Sequence, residues 1–307
     1  MQRITVVGIG GVGGYFGGKL AFHYINSPEV EIDFIARGEN EKVIKAKGLT
    51  VESEEGIFVA HPKIVTDNPV AIGKSDYLIC CTKSYDLEKT LGELAPLIGE
   101  NTIILPLLNG VDSYERIRKI FPHTKVWEGC VYIVSRFIAP GNIKQTGTAV
   151  SLHFGDDNSH SVESTRLLKI FTDAGIDAKL SDNIRQTIWE KFLFISPLAT
   201  LTCYLNQPIG PILGNKESEK VLEDLIAELY ALAIARGINL TPGMVTAALK
   251  RMAALPYDAT SSMHDDLQKN KNIEVESLTG YVVKLGKQLN VPTPVYHKLY
   301  ASLINSS

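Results

Sequence analysis

The feature that most constrains how this chain can fold is a cluster of glycines near its start, in RITVVGIGGVGGYFGGKLA. Seven glycines fall within the eleven residues from Gly8 to Gly18. Glycine loses more backbone entropy on folding than any other residue, so this density predicts that something comes close to the main chain here. Apolar residues before the cluster predict a strand, and the segment from Tyr15 toward His23 predicts a helix. The chain is therefore expected to begin with a strand, a tight turn and a helix.

The spacing of three of these glycines, Gly8-x-Gly10-x-x-Gly13, is typical of a turn that binds a dinucleotide. In such a turn the first glycine permits the sharp change of direction, the second lets the pyrophosphate approach, and the third lets the helix pack on the strand. The N–H groups and the dipole at the start of the helix then attract the phosphate charge. A glycine-rich turn in an α/β sheet that binds no nucleotide is the alternative left open.

The residue after the second predicted strand indicates which dinucleotide is bound. That strand ends at Ala36-Arg37, whereas folds that bind NAD usually place an acidic residue there for the ribose 2′-hydroxyl. An arginine at this position suits the 2′-phosphate of NADPH, because its guanidinium matches the geometry of a phosphate. We therefore expect NADPH/NADP as the cofactor, with Arg37 as a binding residue. A solvated surface arginine is the alternative.

Two further polar residues follow predicted strands, and parallel sheets bind ligands at the carboxyl ends of their strands. Lys83 follows the strand in SDYLICCTK and is a candidate for a second positive charge near the cofactor phosphates. An ordinary surface lysine fits this position equally well. Asn109 follows the strand in NTIILPLLNG and is either a ligand-binding residue or the first residue of an Asn-Gly turn.

Strands and helices alternate through the first half of the chain, which predicts an α/β fold with a parallel, doubly wound sheet. From about Asp182 onward the sequence becomes helical. A length of 307 residues also suggests two domains. We therefore expect an N-terminal NADP(H)-binding domain over residues 1–180, followed by an all-helical C-terminal domain over residues 181–307.

Composition argues against several other classes of protein. A formal net charge of −3 argues against a large surface for nucleic acid. The four cysteines show no metal-ligand spacing, so we expect no metal site and a reducing compartment. The sequence contains no run of about 18 apolar residues of the kind that predicts a membrane span. We interpret the chain as a cytoplasmic protein that binds neither nucleic acid nor membrane.

Lys191 interrupts an otherwise apolar stripe in the helix predicted after Asp182. Four apolar residues share this helical face: Ile184, Ile188, Ile195 and Leu198. A buried charge is expensive unless it is paired or faces a cleft, which makes the lysine a candidate functional residue. Alternatively, its long stem carries the ammonium out to solvent. Pro197 in the same segment predicts a kink or a break in the helix.

Glu274 interrupts a second stripe, which it shares with Leu278, Tyr281 and Leu285. A carboxylate near the start of a helix also favours the helix dipole, so a purely structural role stays open. The serine pair at 261–262 fits either a helix cap or a turn.

Short motifs follow one another along the chain in a specific order. They are the glycine turn, Arg37, Thr82-Lys83, Asn109-Gly110, Trp189-Glu190-Lys191, Ser261-Ser262-Met263 and Glu274-x-Glu276-x-x-x-Gly280. In order and spacing they resemble the ketopantoate reductase (2-dehydropantoate 2-reductase) family, over nearly the whole chain. The twelve-residue step from Ser262 to Glu274 is part of that resemblance.

This resemblance implies a Rossmann domain followed by an all-helical domain, with the active site in the cleft between them. NADPH would reduce the C2 carbonyl of a 2-oxo acid, as in the conversion of 2-dehydropantoate to pantoate during pantothenate biosynthesis. Lys191 would be the general acid that protonates the developing alkoxide, and Glu274 would keep it charged and aimed. Asn109, Ser262 and Glu274 would orient the substrate and the cofactor. The resemblance leaves a homodimer open.

One difference from the family concerns substrate recognition. Family members carry substrate-binding asparagines after the catalytic lysine, and the aligned residues here are Ile195, Ala199 and Ile209. A site built to bond a hydroxyl discriminates far more strongly than an apolar one. The substrate is therefore either 2-dehydropantoate in a different pocket or another 2-oxo or 3-oxo acid. A regulator that binds NADP(H) without catalysis is a third interpretation, and the presence of both Lys191 and Glu274 argues against it.

Overall fold

The structure is a computed structural model that describes residues 1–156 and 160–305. Its strands are β1 (Gln2–Val7), β2 (Val30–Ile35), β3 (Leu49–Ser53), β4 (Gly56–Ala60), β5 (Ile64–Thr66), β6 (Tyr77–Cys80), β7 (Ile103–Pro106), β8 (Lys125–Val126), β9 (Glu128–Ala139), β10 (Asn142–Gly155) and β11 (Ala178–Leu180). Its α-helices are α1 (Gly11–His23), α2 (Gly38–Lys47), α3 (Leu87–Glu93), α4 (Ser113–Ile120), α5 (Val162–Asp173), α6 (Ile184–Leu205), α7 (Ile209–Leu213), α8 (Lys216–Ala235), α9 (Pro242–Ala253), α10 (Ser262–Gln268), α11 (Tyr281–Leu289) and α12 (Pro294–Ile304). Short 3₁₀ turns lie at Pro69–Ala71, Ser84–Asp86 and Ala95–Leu97, and a π-helix spans Glu276–Gly280.

The first sheet has six parallel strands in the order β5-β2-β1-β6-β7-β8. If the strands of this sheet alone are numbered along the chain, their spatial order is 3-2-1-4-5-6, which is typical of dinucleotide-binding folds. Val7 at the end of β1 pairs with Ile35 on β2 and with Cys80 on β6, so these three strands end level with one another. The predicted doubly wound sheet is confirmed, and the direction of winding reverses between β1 and β6, where such sheets bind ligands.

A second sheet contains β11, β10, β3 and β4 in that order, with β9 paired antiparallel to β10. The sequence analysis does not predict this second sheet. No local sequence pattern predicts this sheet, because β3 pairs in parallel with part of β10, which lies more than 90 residues further along the chain. Pairing over such a distance follows from tertiary packing and leaves no local pattern.

Helix α1 packs against both sheets, which explains most of the glycine cluster. A Cβ at Gly13 would lie 2.2 Å from the carbonyl oxygen of Gly8, at the end of the first sheet. A Cβ at Gly11 would lie 2.2 Å from the carbonyl oxygen of Ser135 on β9, in the second sheet. Neither position accepts a side chain unless the backbone moves. The close approach that the cluster predicts is therefore largely that of the protein's own strands, and Gly10 is an exception described below.

The chain divides into two compact units. The first comprises Met1–Leu108 and Ser113–Ile184 and holds both sheets, and the second comprises Asn109–Asp112 and Arg185–Ser307. The second unit is helical over its described residues and has an apolar core of its own. The helix-rich C-terminal half is thus confirmed, whereas the division of roles between residues 1–180 and 181–307 stays a prediction. None of the helices in residues 1–156 and 160–305 combines the length and the apolar character that a membrane span requires.

Helix α6 runs unbroken through Pro197, so the break that this proline suggests does not occur. A proline inside a helix removes one backbone hydrogen bond and costs about 3 kcal/mol. Buried hydroxyl groups on either side of Pro197 fasten the helix to the segment around the π-helix. Ser196 Oγ donates to the carbonyl of Leu278 at 2.6 Å, and the hydroxyls of Thr200 and Thr279 lie 2.8 Å apart. We attribute the continuity of α6 to this packing.

Candidate functional site

The glycine turn after β1 has two kinds of glycine. Gly8 adopts a φ of +86°, a conformation that favours glycine, and a Cβ there would lie 2.8 Å from the main chain of Cys81 and Thr82. Gly10 differs, because a Cβ built at this residue meets no described atom within 4 Å. The packing of the described residues therefore accounts for Gly8 but leaves the space at Gly10 open.

The start of α1 suits the phosphates of a dinucleotide. The first N–H groups of any helix lack partners within that helix, and no acidic residue lies in the first turn of α1 to oppose an anion. Thr82 Oγ1, beside the same turn, is buried and has no hydrogen-bond partner among the residues that the structure describes. Open space, helix-start donors and an orphaned hydroxyl together fit an anionic ligand such as a pyrophosphate.

Two basic residues follow the strands on either side of β1. Arg37 is the N-cap residue of α2, and Lys83 precedes the 3₁₀ turn Ser84–Asp86. The side chain of Arg37 is 50% exposed, and its guanidinium forms an ion pair with Glu93. Arg37 is thus accessible to a ligand, yet it already has a counter-ion.

Lys191 lies on the buried face of α6, as the apolar stripe predicts. It is only 7% exposed, so its stem does not carry the ammonium out to solvent. Its Nζ donates a hydrogen bond to Asn109 Oδ1 at 2.9 Å, within the second unit. Because a buried ammonium is costly without partners, this lysine is held in place by specific polar contacts rather than left on an apolar face.

Asn109 begins an Asn-Gly turn, which is one of the two roles that the sequence left open, while its role in ligand binding stays a prediction. It precedes Gly110, which adopts a φ of +96°, as a turn residue does. A Cβ at Gly110 would lie 3.4 Å from the Cβ of Ser277, so the turn packs closely on the π-helix. The turn therefore aims the Asn109 carboxamide at Lys191.

Glu274 lies directly before the helical segment that contains the π-helix. It is 3% exposed, and its carbonyl accepts the N–H of Leu278 at 3.0 Å. Glu274 and Leu278 keep the regular i to i+4 spacing, whereas the π-helix Glu276–Gly280 adds a wider turn that the predicted stripe does not assume. Leu278 is bonded to Ser196 on α6, so the backbone of the Glu274 segment is fastened to the helix that carries Lys191. Such π-turns are frequent at functional sites.

The two serines before Met263 have different surroundings. Ser261 caps α10 by accepting the N–H of His264 at 3.1 Å, and its hydroxyl lies 3.0 Å from that of Thr202 on α6. His264 Nε2 lies 2.8 Å from Asn206 Oδ1, and burial lowers the pKa of this imidazole. The cap interpretation thus fits Ser261, whereas Ser262, the exposed first residue of α10, stays a candidate for substrate binding.

The three positions that the family resemblance singles out have different surroundings. Ala199 and Ile209 are buried in the core of the second unit, whereas Ile195 is partly exposed. Ala199 and Ile209 therefore take part in core packing. Of the three, only Ile195 keeps solvent-accessible surface beyond that of a buried residue.

Two residues of the first unit, one paired with Arg37 and one beside the glycine turn, were not identified as functional from the sequence. Glu93 reaches Arg37 from 56 residues further along the chain. Thr82 was noted as part of a motif, but only its burial without a partner gives the hydroxyl significance. Neither property has a local signature in the sequence. Within residues 1–156 and 160–305, no group of three or more His, Cys, Asp or Glu side chains is placed to hold a metal ion.

Two family models match the sequence. The model described as "Ketopantoate reductase PanE/ApbA" matches residues 4–159, and the model described as "Ketopantoate reductase PanE/ApbA C terminal" matches residues 183–305. The first match alone covers more than half of the 307 residues.

Individual relatives extend over the same length. The chain is 29% identical to "Uncharacterized oxidoreductase YkpB" of Bacillus subtilis, with 98% of each chain covered. It is 28% identical to the "2-dehydropantoate 2-reductase" of Lactococcus lactis, with 99% of this chain and 97% of the relative covered. Among solved structures, the 2-dehydropantoate 2-reductase of Porphyromonas gingivalis has 38% identity and a TM-score of 0.87, with 99% of both chains covered.

Proposed function

Because this chain belongs to the ketopantoate reductase family of oxidoreductases, we propose that it uses NADPH to reduce a 2-oxo acid to a 2-hydroxy acid. The proposed substrate is 2-dehydropantoate, which is the substrate named for the relative from Lactococcus lactis, and the proposed product is pantoate. The reaction would then be a step of pantothenate biosynthesis. The observation that carries the proposal is the hydrogen bond between the buried Lys191 ammonium and Asn109.

A buried, oriented ammonium is what reduction of a carbonyl requires of the protein. Bound NADPH supplies the hydride that adds to the carbonyl carbon. Negative charge then develops on the substrate oxygen, and Lys191 Nζ stabilises that charge and donates a proton to it. Asn109 Oδ1 holds the ammonium in place by accepting a hydrogen bond from Nζ.

The remaining candidate residues bind and orient. The Glu274 carboxylate keeps Lys191 protonated and orients the substrate. The Ser262 hydroxyl binds the substrate. In the first unit the glycine turn holds the pyrophosphate, and Arg37 and Lys83 supply positive charge for the cofactor phosphates. A regulator that only binds NADP(H) would have no use for a buried lysine of this kind.

The proposal is tested by following NADPH oxidation with 2-dehydropantoate. A panel of other 2-oxo acids and of 3-oxo acids, with side chains of graded size and polarity, measures the substrate preference. We expect 2-dehydropantoate to have the highest kcat/KM. A higher value for another oxo acid would keep the reaction class and replace the substrate. Tight NADPH binding with no turnover of any oxo acid would instead support the non-catalytic regulator.

Arg37→Ala is expected to weaken NADPH binding by about 1.5–3 kcal/mol, the scale of a hydrogen bond to a charged group. NADH binding should change little, because NADH has no 2′-phosphate for this guanidinium to contact. Dissociation constants for both cofactors decide the matter. Arg166→Ala, which removes an exposed arginine from α5, is the matched control and should change neither value. Equal weakening of both cofactors in Arg37→Ala would refute the 2′-phosphate role.

Glu274→Ala is expected chiefly to raise KM for the oxo acid about 10- to 150-fold, because a charged partner that orients the substrate is lost. This factor corresponds to about 1.5–3 kcal/mol, the scale of a hydrogen bond to a charged group. The accompanying loss in kcat should be smaller than the loss on removing Lys191. Glu274→Gln keeps the size of this buried side chain and separates loss of charge from loss of packing. Glu276→Gln, at an exposed position two residues away, is the control. Unchanged kinetics in both Glu274 variants would show that the carboxylate only favours the helix start.

A further inference from the structure

The ion pair between Arg37 and Glu93 is a feature of the cofactor-binding unit that the proposed function does not use. Glu93 is the last residue of α3, the helix that follows β6, and its side chain is 46% exposed. Its Oε2 accepts a hydrogen bond from Arg37 Nη2. The acceptor for this arginine thus comes from the end of a helix that lies 56 residues further along the chain.

We propose that Glu93 is a specificity-determining residue that narrows the preference for NADPH over NADH. This inference rests on the proposed function, because it requires that the adenosine ribose of the cofactor binds beside Arg37. A 2′-phosphate that reaches Arg37 also approaches the Glu93 carboxylate, and the two negative charges repel each other. The Glu93 carboxylate therefore cancels part of the attraction between Arg37 and the 2′-phosphate.

The same carboxylate favours the other cofactor. Folds that bind NAD use an acidic residue to accept the ribose 2′-hydroxyl, usually from the end of the second strand. In this chain β2 ends without an acid, but Glu93 brings a carboxylate to the arginine that stands there. One location thus holds both a cation for a 2′-phosphate and an acceptor for a 2′-hydroxyl, and each reduces the selectivity that the other would confer alone.

The test compares the dissociation constants of NADPH and NADH in Glu93→Gln and in the unaltered chain, by calorimetry or cofactor fluorescence. We expect the ratio of the NADH constant to the NADPH constant to rise about two- to fivefold, the effect of an exposed charge–charge contact. Glu52→Gln is a matched control, because Glu52 is also 46% exposed, also lies in the first unit, and also pairs with a cation, Lys144, at 2.6 Å. This control should leave the ratio unchanged.

Two further measurements distinguish an effect of charge from a general change in the protein. Glu93→Lys, which reverses the charge, should raise the ratio beyond the value for Glu93→Gln. High salt should shrink the difference between Glu93→Gln and the unaltered chain, because exposed charges are screened.

The possible results separate this inference from the proposed function. An unchanged ratio in both Glu93 variants, or equal shifts for the two cofactors, would overturn the role of Glu93 and leave the proposed function intact. Failure of the unaltered chain to bind either cofactor would overturn both. A rise in the ratio for Glu93→Gln, with none for Glu52→Gln, would establish Glu93 as a selecting residue.

Discussion

Lys191→Ala is expected to lower kcat by about 10²–10⁴, the usual contribution of a positioned general acid. The proton that neutralises the developing alkoxide then has to come from water, and the positive charge beside that oxygen is lost. NADPH affinity should stay nearly unchanged, because Lys191 lies on α6 in the second unit and the glycine turn and Arg37 lie in the first. A selective loss in kcat would therefore assign the lysine to the chemical step.

Stability measurements keep this result from being confused with misfolding. Removing the buried charge relieves its desolvation, but it also leaves Asn109 Oδ1 without its donor, so we expect thermal stability to fall while the fold is retained. Lys191→Met preserves more of the buried side-chain volume and excludes a cavity as the cause of lost activity. Lys250→Ala, at an exposed position on α9, is the matched control and should keep full activity. If Lys191→Ala retains more than about a tenth of the original kcat, the lysine is not the acid.

The pair of Lys191 and Glu274 offers a sharper form of the same test. Residues that act as one unit have non-additive effects, so the double variant should lose little more than Lys191→Ala alone. Additive losses would mean that the two residues contribute separately. In that case Glu274 would serve the substrate or the helix start without acting through the lysine.

Local patterns were sufficient for much of this molecule. Alternating strands and helices predicted the doubly wound sheet, and the stripe on α6 predicted the buried helix face on which Lys191 lies. The order of the short motifs indicated the ketopantoate reductase family, which the family models confirm. The sheet and the helix face were predictable because periodicity and turn chemistry are properties of a few neighbouring residues.

What could not be predicted depends on residues far apart in the chain. The sheet that joins β3 to β10 and the pairing of Arg37 with Glu93 both require the folded chain. Pro197 was expected to disturb its helix because proline is judged by its local cost, while the hydroxyl contacts that hold α6 are tertiary. The glycine cluster is the clearest case, because one local signal combined two causes. Most of its members accommodate neighbouring strands, whereas Gly10 has no such neighbour.

This difference among the glycines leads to the second large effect that we expect. Gly10→Val should weaken NADPH binding by at least about 100-fold, or about 2.7 kcal/mol, because its methyl groups would occupy the space that the pyrophosphate needs. The fold should survive, because a Cβ at this position meets no described atom within 4 Å. The φ of Gly10, −96°, is also open to residues that carry a side chain.

Two other glycines serve as matched controls for Gly10→Val. Gly243→Val places the same side chain near the start of α9 in the second unit and should not change NADPH affinity. Gly13→Ala adds only a methyl group, but that group would lie 2.2 Å from the Gly8 carbonyl oxygen, so this variant should lose thermal stability. Circular dichroism, thermal melts and a fluorescence titration with NADPH measure all three variants. If Gly10 serves the ligand, its variant loses affinity without losing stability, whereas Gly13→Ala loses stability first. A folded Gly10→Val that binds NADPH as tightly as the unaltered chain would show that the residue is only part of a turn, and would remove the strongest physical argument for a dinucleotide at the start of α1.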